Sequence, residues 1–353
     1  MGEVLIVEVK TEIGKNLFHV YGGNKSDMKT FILKRFLQMG FVFVLVSVFS
    51  FFIIYFAPGD PLYMYMTPGA TGHKMTEQEL ESMRESLGLT GGVAEQYVSW
   101  AKKTVQGNWG ISINNKQPVK EQILEKLPCT VGLMGASLVI ALAVAIPLGL
   151  VAGTHKNKLA DNIISGFTYL GISMPAFWLG IILIIVFSLK LGILPSSGMR
   201  TIGVNSLWDV IKHGIMPAIV LSLNNMAVFV RYIRSNTIAQ MEEEYVQTAV
   251  SKGLSTKQIM YGHVLKNCLL PIITIVGSRF GTLVTGSFIV ESVFSWPGLG
   301  TLGMSAINNR DYPMIMGITM LSCVILLLGN FLADILYGFA DPRIKQGKEK
   351  GHA

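Results

Sequence analysis

The chain has 353 residues, 50% of them hydrophobic and only 14% charged. Soluble domains carry about 25% charged residues, so composition excludes an ordinary soluble enzyme, and length does not count soluble domains here. The net charge of +7 reads as basic loops beside membrane helices rather than as a nucleic-acid surface.

A helix needs about 20 apolar residues to cross a hydrocarbon layer about 30 Å thick. Residues 1–27 read as an N-terminal extension without an assignable role, because MKTFILKRF from Met28 is itself a natural start. A first span of about 36–57, within the unit 28–57, follows Lys34 and Arg35. It is too long for a signal peptide and runs into PGDP without a small-residue cleavage site. Segment 58–128 is expected to fold as a small extracytoplasmic cap. In it Thr76-Glu-Gln-Glu79 fits a capping box, opening a helix that ends near Gly88, and a second helix is expected over Glu95–Gln106. Five further spans follow at about 131–153, 163–192, 215–233, 271–293 and 313–337. They form a core of 129–338 before a cytoplasmic tail at 339–353. Pro147 and Pro175 predict kinks in spans two and three. Lysines and arginines cluster before span one, after spans two and four, and after span six. All four groups fall on one side, which predicts six transmembrane helices with both termini cytoplasmic. Cys129, Cys268 and Cys323 lack metal or redox spacing, and no catalytic or metal-binding set appears.

Between spans four and five the chain carries about thirty mostly polar residues, EEEYVQTAVSKGLSTKQIMYGHVLKNCLLP. Residues 237–251 suit a short helix. Gly253 stands where a left-handed cap would close it, and Ser255-Thr-Lys-Gln258 is a second capping-box match. Pro271 marks the entry to span five. Two short helices joined by a glycine turn would protrude at about 237–270. Such an elbow either docks in a groove on a partner or is a solvated loop with ordinary caps.

Polar groups inside spans are functional candidates. Asn224 and Asn225 lie midway along span four. Arg279 lies about 12 Å into span five, near Ser278 and Thr282. These residues line a wet path for a polar solute, or they make interhelical bonds, with Arg279 paired to an acid such as Asp334. Gly277, Gly281 and Gly286 form a row of small residues, for contact with a second subunit or for packing within this chain.

The polar loop closely resembles the EAA loop of ABC-importer permeases, in the form used by peptide and nickel importers. Glu244, Tyr245, Val246, Ala249, Lys252, Gly253, Leu254, His263, Leu265, Asn267 and Pro271 match that pattern. Gln247 and Thr248 replace the Glu-Ala of its general form. PGDP, GNWGISI, IPLGLVAG, MPAFWLGI, LGILPSSG, MPAIVLSL, ESVFSWPGLG and ADPRI agree as well. From Met28 to about Ile344 the chain resembles the first permease subunit of a dipeptide/oligopeptide-type importer.

The resemblance implies an all-α type I ABC-importer (MetI-like) permease fold. It also implies an elbow that rests on a cytoplasmic ATPase, and spans that rock between inward- and outward-facing states. The implied partners are a second homologous permease, two cytoplasmic ABC ATPases and an extracytoplasmic substrate-binding protein, within membrane lipid. ATP and Mg²⁺ would belong to the ATPases, since no GxxxxGK[ST] phosphate loop occurs in this chain. The implied solute is a peptide, with nickel the alternative. An ion-coupled secondary transporter would need membrane-embedded carboxylates, which are scarce here. A membrane enzyme would need a catalytic constellation that the loops lack.

Overall fold

The computed structural model describes residues 25–56, 76, 78–79, 81–82 and 91–340. The expected extension and tail fall almost wholly outside the described residues, as do Gly88 and most of 57–90. Apart from one isolated bridge between Ile111 and Pro118, the regular structure among the described residues is helical. In order come α1 (Lys25–Tyr55), α2 (Val93–Val105), α3 (Val119–Thr154), α4 (Leu159–Ser173) and α5 (Ala176–Leu183), which runs into a π-helical turn at Ile184–Lys190. Then follow α6 (Leu207–Met241), α7 (Glu244–Ser251), α8 (Thr256–Ile259), a π-helical turn at Met260–Val264, α9 (Leu265–Val293), α10 (Leu299–Asn308) and α11 (Tyr312–Ala340).

Stretches of α1, α3, α6 and α11 are each long and apolar enough to cross a membrane, and α4 with α5 forms a further candidate bent by 102°. The kink expected at Pro175 in the third span is thus a full break. Met174 adopts extended angles (φ −87°, ψ 124°) directly before Pro175, which caps α5. A residue preceding proline avoids the α region, and proline has no N–H to continue the ladder. Pro147 behaves otherwise, since α3 continues as one helix through both Pro128 and Pro147.

Two helices outrun their apolar stretches. The 36 residues of α3 extend about 54 Å. Its polar first turns stay helical because Val119 and Ile123, four apart, bury against Leu299, Ala306, Met314 and Ile318. The 35-residue α6 starts at Ser206, whose hydroxyl accepts from the Trp208 N–H at 3.2 Å.

α3 and α6 run parallel. Near their ends a Cβ on Gly149 would stand 2.6 Å from the Ile233 Cβ, and one on Gly153 would stand 3.0 Å from the Arg234 carbonyl oxygen. Near their starts Leu133 and Met216 share one buried cluster, with Val290 and Phe294 from the end of α9. The bent α4–α5 pair thus returns the chain from the ends of these helices to their starts. In lipid no water is expelled when helices meet, so such contacts hold by close packing of small residues.

α1 is peripheral. It is anchored at one end by Arg35 Nε to Asp334 Oδ2 at 3.3 Å. At the other end the Ser47 hydroxyl and the Tyr97 hydroxyl lie 2.9 Å apart, and the Phe51 ring meets the rings of Tyr97 and Trp100. Further back, the Thr76 N–H donates to Glu79 Oε2 at 2.8 Å and the Glu79 N–H donates to Thr76 Oγ1 at 3.4 Å, which is the reciprocal geometry of a capping box. The second helix of this region, α2, covers Val93–Val105.

Candidate functional site: the elbow between α6 and α9

The elbow has its own small core. Val246 and Ala249 from α7, Ile259 from α8, Val264, and Cys268 from α9 are buried together, with Met241, Tyr245 and Leu254 packed around them. This is why a short, polar helix such as α7 holds its place. Its apolar residues recur at helical spacing on one face, and Glu244 in its first turn complements the helix dipole.

Gly253 makes the turn with φ +81°. The Leu254 N–H donates to the Ala249 carbonyl at 3.2 Å and the Gly253 N–H donates to the Val250 carbonyl at 2.9 Å. These two bonds form a Schellman cap, and Leu254 supplies its hydrophobic contact against Ala249. Ser255 then starts the next helix. Its hydroxyl accepts from the Gln258 N–H at 3.4 Å, and its own N–H donates to Gln258 Oε1 at 2.9 Å.

The elbow differs from the expected pair of short helices at both ends. Residues 237–241 belong to the long α6, and the chain breaks only at Glu242–Glu243. The second arm is not a separate helix either, because α8, its π-helical turn and α9 follow without interruption. The backbone is already helical before 271, so Pro271 lies inside α9 and not at its start. Its side chain lies outside the described residues.

Gln240, which sequence reasoning passed over, ties the elbow to its base. Its Oε1 accepts from the Tyr245 hydroxyl at 2.7 Å and from Asn267 Nδ2 at 3.1 Å, joining α6, α7 and α9. The Tyr245 and His263 rings lie 6.4 Å apart. Burial pushes the Tyr245 phenol above its ordinary pKa, so it stays a hydroxyl donor in this bond. Glu244, Gly253 and His263 are exposed, as are Val250 and Tyr261 at 59% each. The elbow thus presents apolar and polar groups outward from a fixed base.

Beside it, Arg234 grips Asp161 with Nε to Oδ1 at 2.5 Å and Nη2 to Oδ2 at 2.7 Å. Asp161 is 1% exposed and also accepts from the Asn157 N–H at 2.9 Å. This clamp fixes the start of α4 against the end of α6. Residues 73 apart in sequence leave no local signal for it.

The intramembrane candidates separate. Asn224 is exposed, whereas Asn225 is buried and donates to the Leu221 carbonyl of its own helix at 3.1 Å. Gly277 packs within this chain, since a Cβ there would collide with Ala333 and stand 3.2 Å from the Gly329 carbonyl oxygen. The side chains of Ser278, Arg279 and Thr282, and the surroundings of Gly281 and Gly286, lie outside the described residues. Asp334 pairs with Arg35 of α1.

Two buried acids at the far end of the bundle act on the backbone. Glu291 Oε2 accepts from the Gly300 N–H at 2.6 Å at the start of α10, where Thr130 Oγ1 accepts from the Leu299 N–H at 2.8 Å. A side chain on Gly298 or Gly300 would meet that carboxylate, which accounts for the glycines of SWPGLG. Asp311 accepts from the Ser112 hydroxyl and from the Ile113 N–H at 3.2 Å, fastening the GNWGISI turn to the α10–α11 corner.

Residues 145–346 match the family described as "Binding-protein-dependent transport system inner membrane component". Residues 28–134 match "Binding-prot-dependent transport system membrane comp, N-term". Over 320 residues the chain is 38% identical to the oligopeptide transport system permease protein AppB of Bacillus subtilis (strain 168), covering 90% of this chain and 100% of that one. It is 32% identical over 343 residues to the dipeptide transport system permease protein DppB of Escherichia coli (strain K12), covering 91% and 100%. Among solved structures, an inward-facing MetNI methionine ABC transporter chain superposes with a TM-score of 0.51 at 15% identity, over 62% of this chain and 96% of that one. That last likeness concerns the fold alone.

Proposed function

The chain belongs to the family of binding-protein-dependent transport system inner membrane components, and we infer from this that it is a permease subunit of an ATP-driven ABC importer that takes up peptides. The observation that carries this reading is the 38% identity with an oligopeptide permease along that relative's whole length. Nickel is not favoured, as the relatives described are named for oligopeptides and dipeptides. The chain is a multi-pass inner-membrane protein.

The finer arrangement is part of the same proposal. Six crossings, the four long apolar helices with α4–α5 as one broken crossing and α9 added as the sixth, agree with parallel α3 and α6. Both termini then lie on the cytoplasmic side with the elbow, and the segment 58–128 lies outside as a cap. A second permease completes the path, two cytoplasmic ATPases bind ATP and Mg²⁺, and an extracytoplasmic binding protein delivers the solute. The elbow is the coupling element. Glu244, Tyr245, Ala249, Gly253, Leu254, His263, Asn267 and Pro271 shape or root it, and its rigid seat on Gln240 supports that assignment. Asn224, Ser278, Arg279 and Thr282 are proposed to face the solute, whereas the hydrogen bond of Asn225 within its own helix supports a packing role.

The test is purification of the tagged protein from its native membrane in mild detergent. ATPase activity is then assayed with and without peptides and binding protein. Co-purification of an ATPase and a second permease, with peptide-stimulated turnover, is the expected result. A lone chain that transports under an ion gradient would overturn the reading.

A further inference from the structure

Between α1 and α11 runs a groove of about 530 Å³. It lies towards the elbow end of the bundle, because α11 starts at the opposite end, where Met314 packs on Val119 and Ile123, and Asp334 stands near its finish. Its two walls are graded in the same direction. At one end stand the Arg35–Asp334 ion pair and the side-chain amides of Gln38 and Asn330. Val42 on α1 and Leu327 on α11, each seven residues from its member of the pair, lie about 10 Å further along and line an apolar stretch.

Two features describe this contact. The ion pair is not sealed, with side-chain exposures of 40% for Arg35 and 27% for Asp334. The helix on one side is almost wholly outward-facing, with only 6% of its apolar window buried. The groove therefore opens away from the rest of this chain. Its polar end offers a cation and an anion side by side, where the first helix begins and the last one finishes.

We propose that this groove is a binding site for one phospholipid whose headgroup carries both a phosphate and a primary ammonium. Arg35 faces the phosphate, since guanidinium matches phosphate oxygens in fixed fork geometry. Asp334 accepts from the ammonium, and Gln38 and Asn330 serve the glycerol ester region. The first carbons of an acyl chain lie along Val42 and Leu327. A headgroup with phosphate alone would leave Asp334 facing an anion, and a quaternary choline has no N–H to donate. The zwitterion with a primary amine satisfies both members of the pair. A lipid seated there would cement α1, which makes few other contacts, onto the bundle.

The experiment uses the complex with which the chain purifies, exchanged into nanodiscs holding equal parts of phosphatidylethanolamine, phosphatidylglycerol and phosphatidylcholine. Native mass spectrometry reads the lipids retained. The wild type is expected to keep phosphatidylethanolamine in preference to both others. Asp334→Asn is expected to lower that preference about tenfold, the scale of one charge-assisted contact. Leu327→Trp fills the groove without touching the ion pair, and is expected to release the lipid while the complex stays assembled. No selectivity in the wild type, selectivity for either other lipid, or unchanged retention in Leu327→Trp would each overturn the proposal. If Asp334→Asn fails to assemble, the wild type and Leu327→Trp decide it.

Discussion

Substitution at Gly253 separates what the chain needs from what a partner needs. Its φ of +81° puts a side chain in the left-handed region, which costs an ordinary L-residue about 1–2 kcal/mol and asparagine less. No atom lies within 4 Å of a Cβ built there, so nothing in this chain resists bulk. Gly253→Asn, Gly253→Ala and Gly253→Trp are therefore expected to insert and melt within a few degrees of wild type. Gly253→Pro is different, since it fixes φ near −65° and removes the N–H that bonds the Val250 carbonyl at 2.9 Å. It is expected to lose the elbow itself, at about 3 kcal/mol. Uptake of labelled peptide in proteoliposomes is the functional assay. Activity should fall in the order Asn, Ala, Trp while thermal stability barely changes, because the bulk is felt only by whatever the elbow rests on. Wild-type uptake by a well-inserted Gly253→Trp protein would refute the coupling assignment. A stability loss in Gly253→Ala as large as in Gly253→Pro would refute the open-space reasoning.

Gly277→Val drives a side chain into Ala333 and towards the Gly329 backbone, so it should destabilise the chain by about 1–3 kcal/mol, visible as a lower melting temperature even without a second permease. Asp161→Asn leaves Arg234 without its carboxylate in a site where the acid is 1% exposed. A melting loss of about 2 kcal/mol or more is expected, and an unchanged melting curve would show the clamp to be idle. Tyr245→Phe and Asn267→Ala each remove a donor to Gln240. Their effects on elbow protection in hydrogen exchange should combine non-additively, because both act through one oxygen. Arg279→Gln should alter substrate range or rate more than assembly in uptake and pull-down assays, and loss of the complex would mark that residue as structural.

The elbow was readable in sequence because its signals are local. A glycine that needs positive φ, and a Ser and a Gln three apart, encode a turn and a cap within a few residues. Its borders were less readable. Residues 237–241 carry the same helical periodicity as the span before them, and only the packing of α6 decides that they continue it. The kink in span three was legible at Pro175, but its size of 102° was not, because a count of apolar residues weighs length and not direction. Pro147 looked equivalent in sequence, yet α3 runs on through it. The Asp161–Arg234 clamp, the Gln240 hub and the Arg35–Asp334 pair lie beyond sequence reading altogether. Each joins helices whose neighbours are set by tertiary packing, and a lone polar residue near a span end looks alike whether it is solvated or paired.

The unbroken run from α8 through α9 has a mechanical meaning. α9 alone, at 29 residues, is a rod about 43 Å long, with the elbow's core clamped to one end and Val290 and Phe294 wedged between α3 and α6 at the other. A rod held this way acts as a lever. A tilt of about 5° at the elbow would displace its far tip by about 4 Å over that length, enough to repack the cluster around Leu133 and Met216. The π-helical turn at Met260–Val264 sits between the glycine turn and the rod, where one misfit turn can absorb torque. Stiffness in the rod and give at its joint would convert a small push on one side of a membrane into an opening on the other.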